Sequence, residues 1–413
     1  MSKQHVHYAA YGYEPMRMKP VHFATGFFLS LQSKYHRLEL VNKASIIKHK
    51  DSLKGDYANE NLLGILKEQN KVDSAFTEND LKLLRIQLNG ILDNDDGVYP
   101  AYKPYSTFGN DYTLISDSFI TSERRLDGYA GYLIHQILQC TSDGQRIIEF
   151  ARKSIIRHDT PIEHLIEPLK DEPGEFIEWE NPYSIRYGNL KVERLQKISV
   201  IMKHQTKAIA ILCNHLDAFA SHQTKIRSLI IALCCWLFIY IHKMSDCNKT
   251  TPVFLMDFLG GKSQRLKTQS RNCFNRYRQY FFESYNSLWV SGLLEVTEED
   301  YNKIPDNPKF LEQHYSDLAV RVGFAQQRAA QVRKKHFELQ TDTIRILVLS
   351  VIDGNKLEEF TKVAESLRDT WGVCFGGCDD DNSLLRKNGF VGLDHDEDLE
   401  PNLASFIGIL KKM

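Results

Sequence analysis

The 413-residue chain has no apolar run long enough to cross a bilayer. Its longest, Leu229 to Ile241 (LIIALCCWLFIYI), has thirteen residues, against the roughly 20 that a span requires. That run predicts a buried core helix and no membrane partner. The start, MSKQHVHYAAYGYEP, lacks a basic stretch followed by an apolar one, so no secretory leader is expected. The eight cysteines show neither CxxC spacing nor the framework of a small secreted domain. They point to free thiols in a reducing cytoplasm. There is no GxGxxG, no HExxH and no GxSxG, so no dinucleotide cofactor, zincin or nucleophile-elbow hydrolase is implied. Net charge is also nearly absent, at −1. Attraction to a charged partner must therefore come from local segregation of charge.

One such local imbalance stands out. From Phe258 to Phe282 there is no acidic residue, while Lys262, Arg265, Lys267, Arg271, Arg276 and Arg278 are basic. Phe274, Tyr277, Tyr280, Phe281 and Phe282 are interleaved. Cations among π-faces are what a nucleic-acid surface uses. On a helix, Phe274, Tyr277 and Phe281 repeat at core spacing, whereas Lys267, Arg271 and Arg278 share another face. The aromatics are then expected inward and the arginines outward, leaving phosphate contact as the role. A second basic helix is expected over Phe310 to Phe337, acid-free from Leu318 to Phe337 and carrying Arg328, Arg333, Lys334 and Lys335.

The periodicity elsewhere predicts a mostly α protein with minor strand content, a helical bundle core and a small C-terminal module of helix-turn-helix or winged-helix type. Four regions are expected: a mixed segment at 1–120, a helical core at 121–250, a strand with basic helices at 251–340, and an acidic module at 341–413. Thr77 with Asp80 reads as a capping box. Two helices fill 121–158, broken at Ser142-Asp143-Gly144. Prolines punctuate 159–189, and 93–118 reads as a long loop. A long helical stretch covers 190–245. Within it His204-Gln-Thr-Lys207 recurs as His222-Gln-Thr-Lys225, on the same face if the helix is straight. The clearest strand is Pro252 to Phe258, ending in Gly260-Gly261.

Other constellations are weaker. Gly260-Gly261-Lys262-Ser263 lacks the first glycine of a phosphate loop, since Met256 stands there. Backbone N–H groups at that helix start still offer an anion site. Asp257 with Lys262, or Glu175, Glu178 and Glu180 with Lys191, is the residue set of a divalent-metal nuclease. Cys213, His215, Cys234, Cys235, His242 and Cys247 include zinc-type ligands, but only Cys213-x-His215 has a zinc-ligand spacing. Buried structural cysteines explain the last set better, and a solvated loop the glutamates.

The last 73 residues carry fourteen acidic against eight basic side chains, which suits a protein partner or the basic neighbour better than phosphate. Within this tail, Leu367-Arg-Asp-Thr-Trp371-Gly372-Val-Cys-Phe-Gly376-Gly377, followed by Asp380 to Gly389 and Asp398 to Leu410, resembles the C-terminal module of uncharacterised bacterial proteins associated with phage-defence and DNA-modification-dependent restriction operons. The resemblance implies an accessory subunit of a multi-protein restriction system and brings no catalytic residue. The sequence thus favours a non-catalytic, cytoplasmic protein that contacts DNA or RNA through its basic helices, with the acidic tail meeting a protein partner or gating that surface. The alternatives are a pure protein–protein scaffold and a metal nuclease with a degenerate site.

Overall fold

The computed structural model describes residues 11–13, 23, 26–28, 30–31, 34–35, 64, 67–68, 75–80, 92–93, 101–102, 130–154, 177–178, 190–246, 250–290, 309–325, 334–352, 354 and 359–413. These are mostly helical, as the periodicity predicts. Most of the expected loop at 93–118, most of the proline-punctuated segment at 159–189 and most of residues 1–75 lie outside this set.

The bundle begins with α1 (Ala130–Leu138) and α2 (Ser142–Ser154). The break falls just before the expected Ser-Asp-Gly. Thr141 Oγ1 accepts the Gly144 N–H at 3.0 Å, and a Cβ on Gly144 would strike the Leu138 carbonyl. The 190–245 stretch is three helices, not one: α3 (Val192–Ile201), α4 (Lys203–Phe219) and α5 (His222–Ser245). Ser221 caps α5 by accepting the Thr224 N–H. The two His-Gln-Thr-Lys copies therefore open different helices and do not share a face. In the first, Gln205 and Thr206 are buried. In the second, Lys225 is paired with Asp217 at 3.0 Å.

α5 is the centre of the core. No residue from Leu229 to Ile241 is more than 1 % exposed. A helix apolar on every side must be surrounded, and α1, α4, α6 (Gln264–Val290), α7 (Lys309–Arg321) and α8 (Thr341–Val351) all pack on it. By length and composition α5 alone among the described helices passes as a membrane span, and 83 % of its apolar window is buried by this protein. Trp236 and His242 have polar partners inside. Trp236 Nε1 donates to Thr206 Oγ1 at 3.1 Å. His242 lies 2.6 Å from the Phe238 carbonyl through Nδ1 and 2.9 Å from the Tyr315 hydroxyl through Nε2.

Strands are short and paired in twos. β1 (Lys34–Tyr35) pairs antiparallel with β4 (Ile177–Glu178), and β2 (Leu92–Asp93) with β3 (Ala101–Tyr102). The pair that positions the site is parallel: β5 (Phe254–Leu255) beside β6 (Val373–Cys374). β6 follows α9 (Phe360–Trp371), which ends at Gly372. Gly372 adopts φ 71°, and a Cβ there would meet the Pro252 carbonyl. Val373 and Cys374 of the tail thus complete the β5 ladder. α10 (Asp379–Lys387), a π-helical turn (His395–Leu399) and α11 (Glu400–Leu410) finish the chain. The tail is joined to the bundle throughout. α8 packs on α4 and α5, Gln205 donates to the Thr370 carbonyl, and Trp371 Nε1 donates to Ser350 Oγ at 2.9 Å.

The second basic helix ends early. α7 stops at Arg321, where Gly323 (φ 77°) closes a Schellman motif: Phe324 N–H donates to the Ala319 carbonyl and Gly323 N–H to that of Val320. Lys334 and Lys335 lie on an irregular segment, not on a helix, while Arg328 and Arg333 lie outside the described residues.

Candidate nucleic-acid interface

The site begins where β5 ends. Asp257 is fully buried, and its carboxylate accepts the Leu259 and Gly261 N–H groups, each at 3.0 Å. Gly260 and Gly261 turn with φ 62° and 83°, a conformation that glycine adopts without strain. Ser263 then caps α6, its Oγ accepting the Leu266 N–H at 3.1 Å. Two of the turn N–H groups, those of Leu259 and Gly261, are thus already given to Asp257. The same contacts correct the reading of Asp257 as a metal ligand beside Lys262: its oxygens hold a turn. Burial raises its carboxyl above the ordinary range, with the nearby His336 opposing.

The partner strand ends in a similar way. Asp381 accepts the Phe375 and Gly376 N–H groups at 3.1 Å and is paired with Arg368 at 2.9 Å. Asn402 ties the two ends together. Its Nδ2 donates to the Met256 and Phe375 carbonyls at 2.9 and 2.8 Å, and its Oδ1 accepts the Phe258 N–H at 2.7 Å.

Along α6 the expected outward arginine face is corrected. At about 100° per residue, Leu266, Ser270, Cys273, Phe274 and Phe281 form the buried face, so the aromatics do turn inward. The stripe opposite is uncharged: Gln264, Asn272 and Gln279 are exposed. The basic residues occupy the two flanks between core and solvent. There a long side chain can lay its stem on apolar surface and keep its head polar. One flank holds Arg265 and Arg276, the other Lys267, Arg271 and Arg278.

The flanks differ in what they leave available. Arg278 is buried, with Nη2 3.9 Å from Glu312 of α7. Lys335 is buried as well, and desolvation lowers its amine below the ordinary value. These two are structural. Arg276 Nη1 donates to the Asn388 carbonyl at 2.8 Å, and its guanidinium lies 4.8 Å from the Phe390 ring centre. Arg265 pairs with Glu397 and, through Nε at 2.9 Å, with Asp398. Lys262 and Lys334 are exposed, and Lys267 and Arg271 are half-buried. The 334–338 segment crosses α6 because Ser270 Oγ accepts the Phe337 N–H at 2.9 Å and the Phe337 carbonyl accepts the Asp257 N–H at 2.9 Å. A shallow, open cleft of about 590 Å³ lies at the head of α6, walled by Lys262, Gln264 and Arg265 on one side and Glu397, Asp398 and Pro401 on the other.

Sequence reasoning missed His336. It is 1 % exposed, with Nε2 3.6 Å from Asp257 and 3.3 Å from Glu338. Neither ring nitrogen makes a hydrogen bond among the described residues. The basic run Arg333-Lys-Lys335 beside it concealed a buried histidine between two carboxylates.

The zinc-type set does not converge. Cys213, Cys234 and Cys235 are buried thiols that desolvation holds well above the ordinary value. His215 Nε2 lies 2.8 Å from the Ile352 carbonyl, and Cys247 is outside the described residues. Among the described residues only His395, Asp396 and Glu400 bring possible metal-ligand atoms within 4.8 Å of one another. All three are exposed, the ordinary condition of acidic surface. Glu175 and Glu180, and the side chain of Glu178, are also outside the described set.

No family model matches the chain, and neither a curated protein nor a solved structure is similar to it.

Proposed function

We propose that this protein acts by binding, contacting the phosphate backbone of nucleic acid through the head of α6 and the flank that carries Lys267 and Arg271. Lys262, Lys267, Arg271 and Lys334 supply the cations. Gln264, Asn272 and Gln279 supply amide groups between the flanks, suited to contacts that position a backbone without reading bases. The observation that carries the reading is the acid-free first part of α6, whose uncharged solvent stripe is bordered by cations on both sides. The resemblance of the tail supports a setting in the bacterial cytoplasm, as an accessory subunit of a restriction-type DNA-defence system.

The test is a fluorescence anisotropy titration with labelled DNA and RNA across salt. Changing Lys262, Lys267 and Lys334 together to Gln is expected to reduce the slope of log K against log salt by up to about 3, at roughly 0.9 per phosphate contact. An unchanged slope refutes the reading.

A second reading has its own observation. Arg265 is held by Glu397 and Asp398 of the same chain. A face that already accepts an acidic segment also suits an acidic protein, and the protein is then a scaffold. Absence of nucleic-acid binding at low salt, by a well-folded preparation, selects it.

A further inference from the structure

Residues 388–398 run back along α6, opposite in direction to the helix. Asn388 and Phe390 meet Arg276, the Val391 carbonyl accepts Gln269 Nε2 at 2.7 Å, and Glu397 and Asp398 take Arg265. Ser263 Oγ donates to Asp398 Oδ1 at 2.5 Å. Arg265, Gln269 and Arg276 lie within about 40° of one another around the helix, so the segment covers a single flank. It is built as a strap. Phe390 is buried beneath it and Asp398 anchors its far end, 2 % exposed and also accepting the Asp394 N–H at 2.9 Å. Between these anchors Val391 is 70 % exposed. Gly389 and Gly392 turn with φ 77° and 76°, with no neighbour near where a Cβ would stand.

We propose that this strap is an autoinhibitory contact: its carboxylates compete with nucleic-acid phosphate for Arg265. The inference rests on the nucleic-acid reading above and names the regulation of that same surface. Asp398 is fixed in place, whereas the Glu397 side chain is 71 % exposed and that of Arg265 51 %. Arg265 can therefore swing from the strap to a phosphate without unfolding the tail. Glu397 is the adjustable competitor and Asp398 the seat to which the guanidinium returns. The flank that carries Lys267 and Arg271 binds first, and the strapped flank adds a contact only when phosphate outcompetes the carboxylates.

The experiment compares wild type, Glu397→Gln, Arg265→Gln and the double variant by anisotropy with a labelled DNA duplex. Glu193→Gln on α3 serves as a control that removes the same charge elsewhere. Glu397→Gln is expected to tighten binding on the order of tenfold at about 50 mM salt and to steepen the salt slope by about 0.9, the signature of one added phosphate contact. The double variant is expected to lose that gain. If wild type binds and Glu397→Gln matches it in affinity and slope, the strap proposal is overturned and the binding reading stands. A gain that persists in the double variant, or appears equally in Glu193→Gln, also overturns it, because net charge then accounts for the effect. If neither wild type nor Glu397→Gln binds, the nucleic-acid reading itself fails, and the strap proposal with it.

Discussion

Replacing Asn402 by Leu tests the joint beneath the interface. Asn402 is fully buried and makes three hydrogen bonds to backbone, two to the carbonyls of Met256 and Phe375 and one from the Phe258 N–H. Leucine has nearly the same volume and no polar atom. It leaves one N–H and two C=O groups without that partner, in a place closed to water. A buried backbone group left unsatisfied costs about 1–3 kcal/mol. Carbonyls keep a second lone pair, so the lower half of that range applies to them, and the sum is about 3–7 kcal/mol. Against a typical total of about 5–15 kcal/mol, the variant should unfold at a much lower denaturant concentration. Guanidinium unfolding followed by far-UV circular dichroism gives the difference. Ser405→Ala provides the graded comparison. It removes a single hydrogen bond to the Phe258 carbonyl, at 2.7 Å and partly exposed, and should cost about 0.5–1.5 kcal/mol. A loss below about 1 kcal/mol for Asn402→Leu, or one no larger than for Ser405→Ala, refutes the claim that Asn402 joins the two strand ends.

Three further outcomes follow from the core. Burial lowers the His242 imidazole to about 3, below the unfolded value near 6.5. The unfolded chain therefore binds the extra proton between those values. Stability from this site is complete above about pH 6.5 and is lost as pH falls toward 3, by up to about 4 kcal/mol. His135, lowered by burial to about 4, acts in the same direction, so the unfolding midpoint of His242→Gln should fall less between pH 6.5 and 4 than that of wild type. Burial lowers Lys243 to about 8, where its Nζ donates to the Ile201 carbonyl and Gln205 Oε1 at 3.0 and 3.2 Å. Folding is therefore favoured as pH rises from about 8 toward 10.5, and a denaturation series should show that rise flattened in Lys243→Met. Gly131→Ala places a Cβ against the Phe23 carbonyl and the Phe27 N–H. It should cost about 1–3 kcal/mol by overpacking, read as a fall in Tm.

Much of the scaffold was legible in the residues. The apolar run at 229–241 forced a surrounded helix, Trp371-Gly372 ended α9, and Thr77 and Asp80 do bond reciprocally, the Thr77 N–H to Asp80 at 2.7 Å and the Asp80 N–H to Thr77 Oγ1 at 3.3 Å. These are local signals, carried by composition or by residues three or four apart. The partner of β5 was not legible, because two residues, Val373 and Cys374, are too short to show a period. The stop at Gly323 was written in one glycine inside a pattern that otherwise continued. At the site, helical spacing correctly turned Phe274 and Phe281 inward. It could not tell a flank from a solvent face, since the wheel gives an angle and not what packs beside it. Arg278 meets Glu312 and Arg265 meets Glu397, partners 34 and 132 residues away. That the acidic tail lies on the basic helix was suggested by charge. Which residues pair required the fold.

The central claim is that α6 offers phosphate a surface at its head and along the flank that carries Lys267 and Arg271. The most direct measurement is the salt dependence of DNA and RNA affinity for wild type and for the variant with Lys262, Lys267 and Lys334 changed to Gln. The account predicts binding by wild type that weakens linearly in log salt, and a slope smaller by up to about 3 in the variant. Equal slopes, or no binding by wild type at low salt, contradict it.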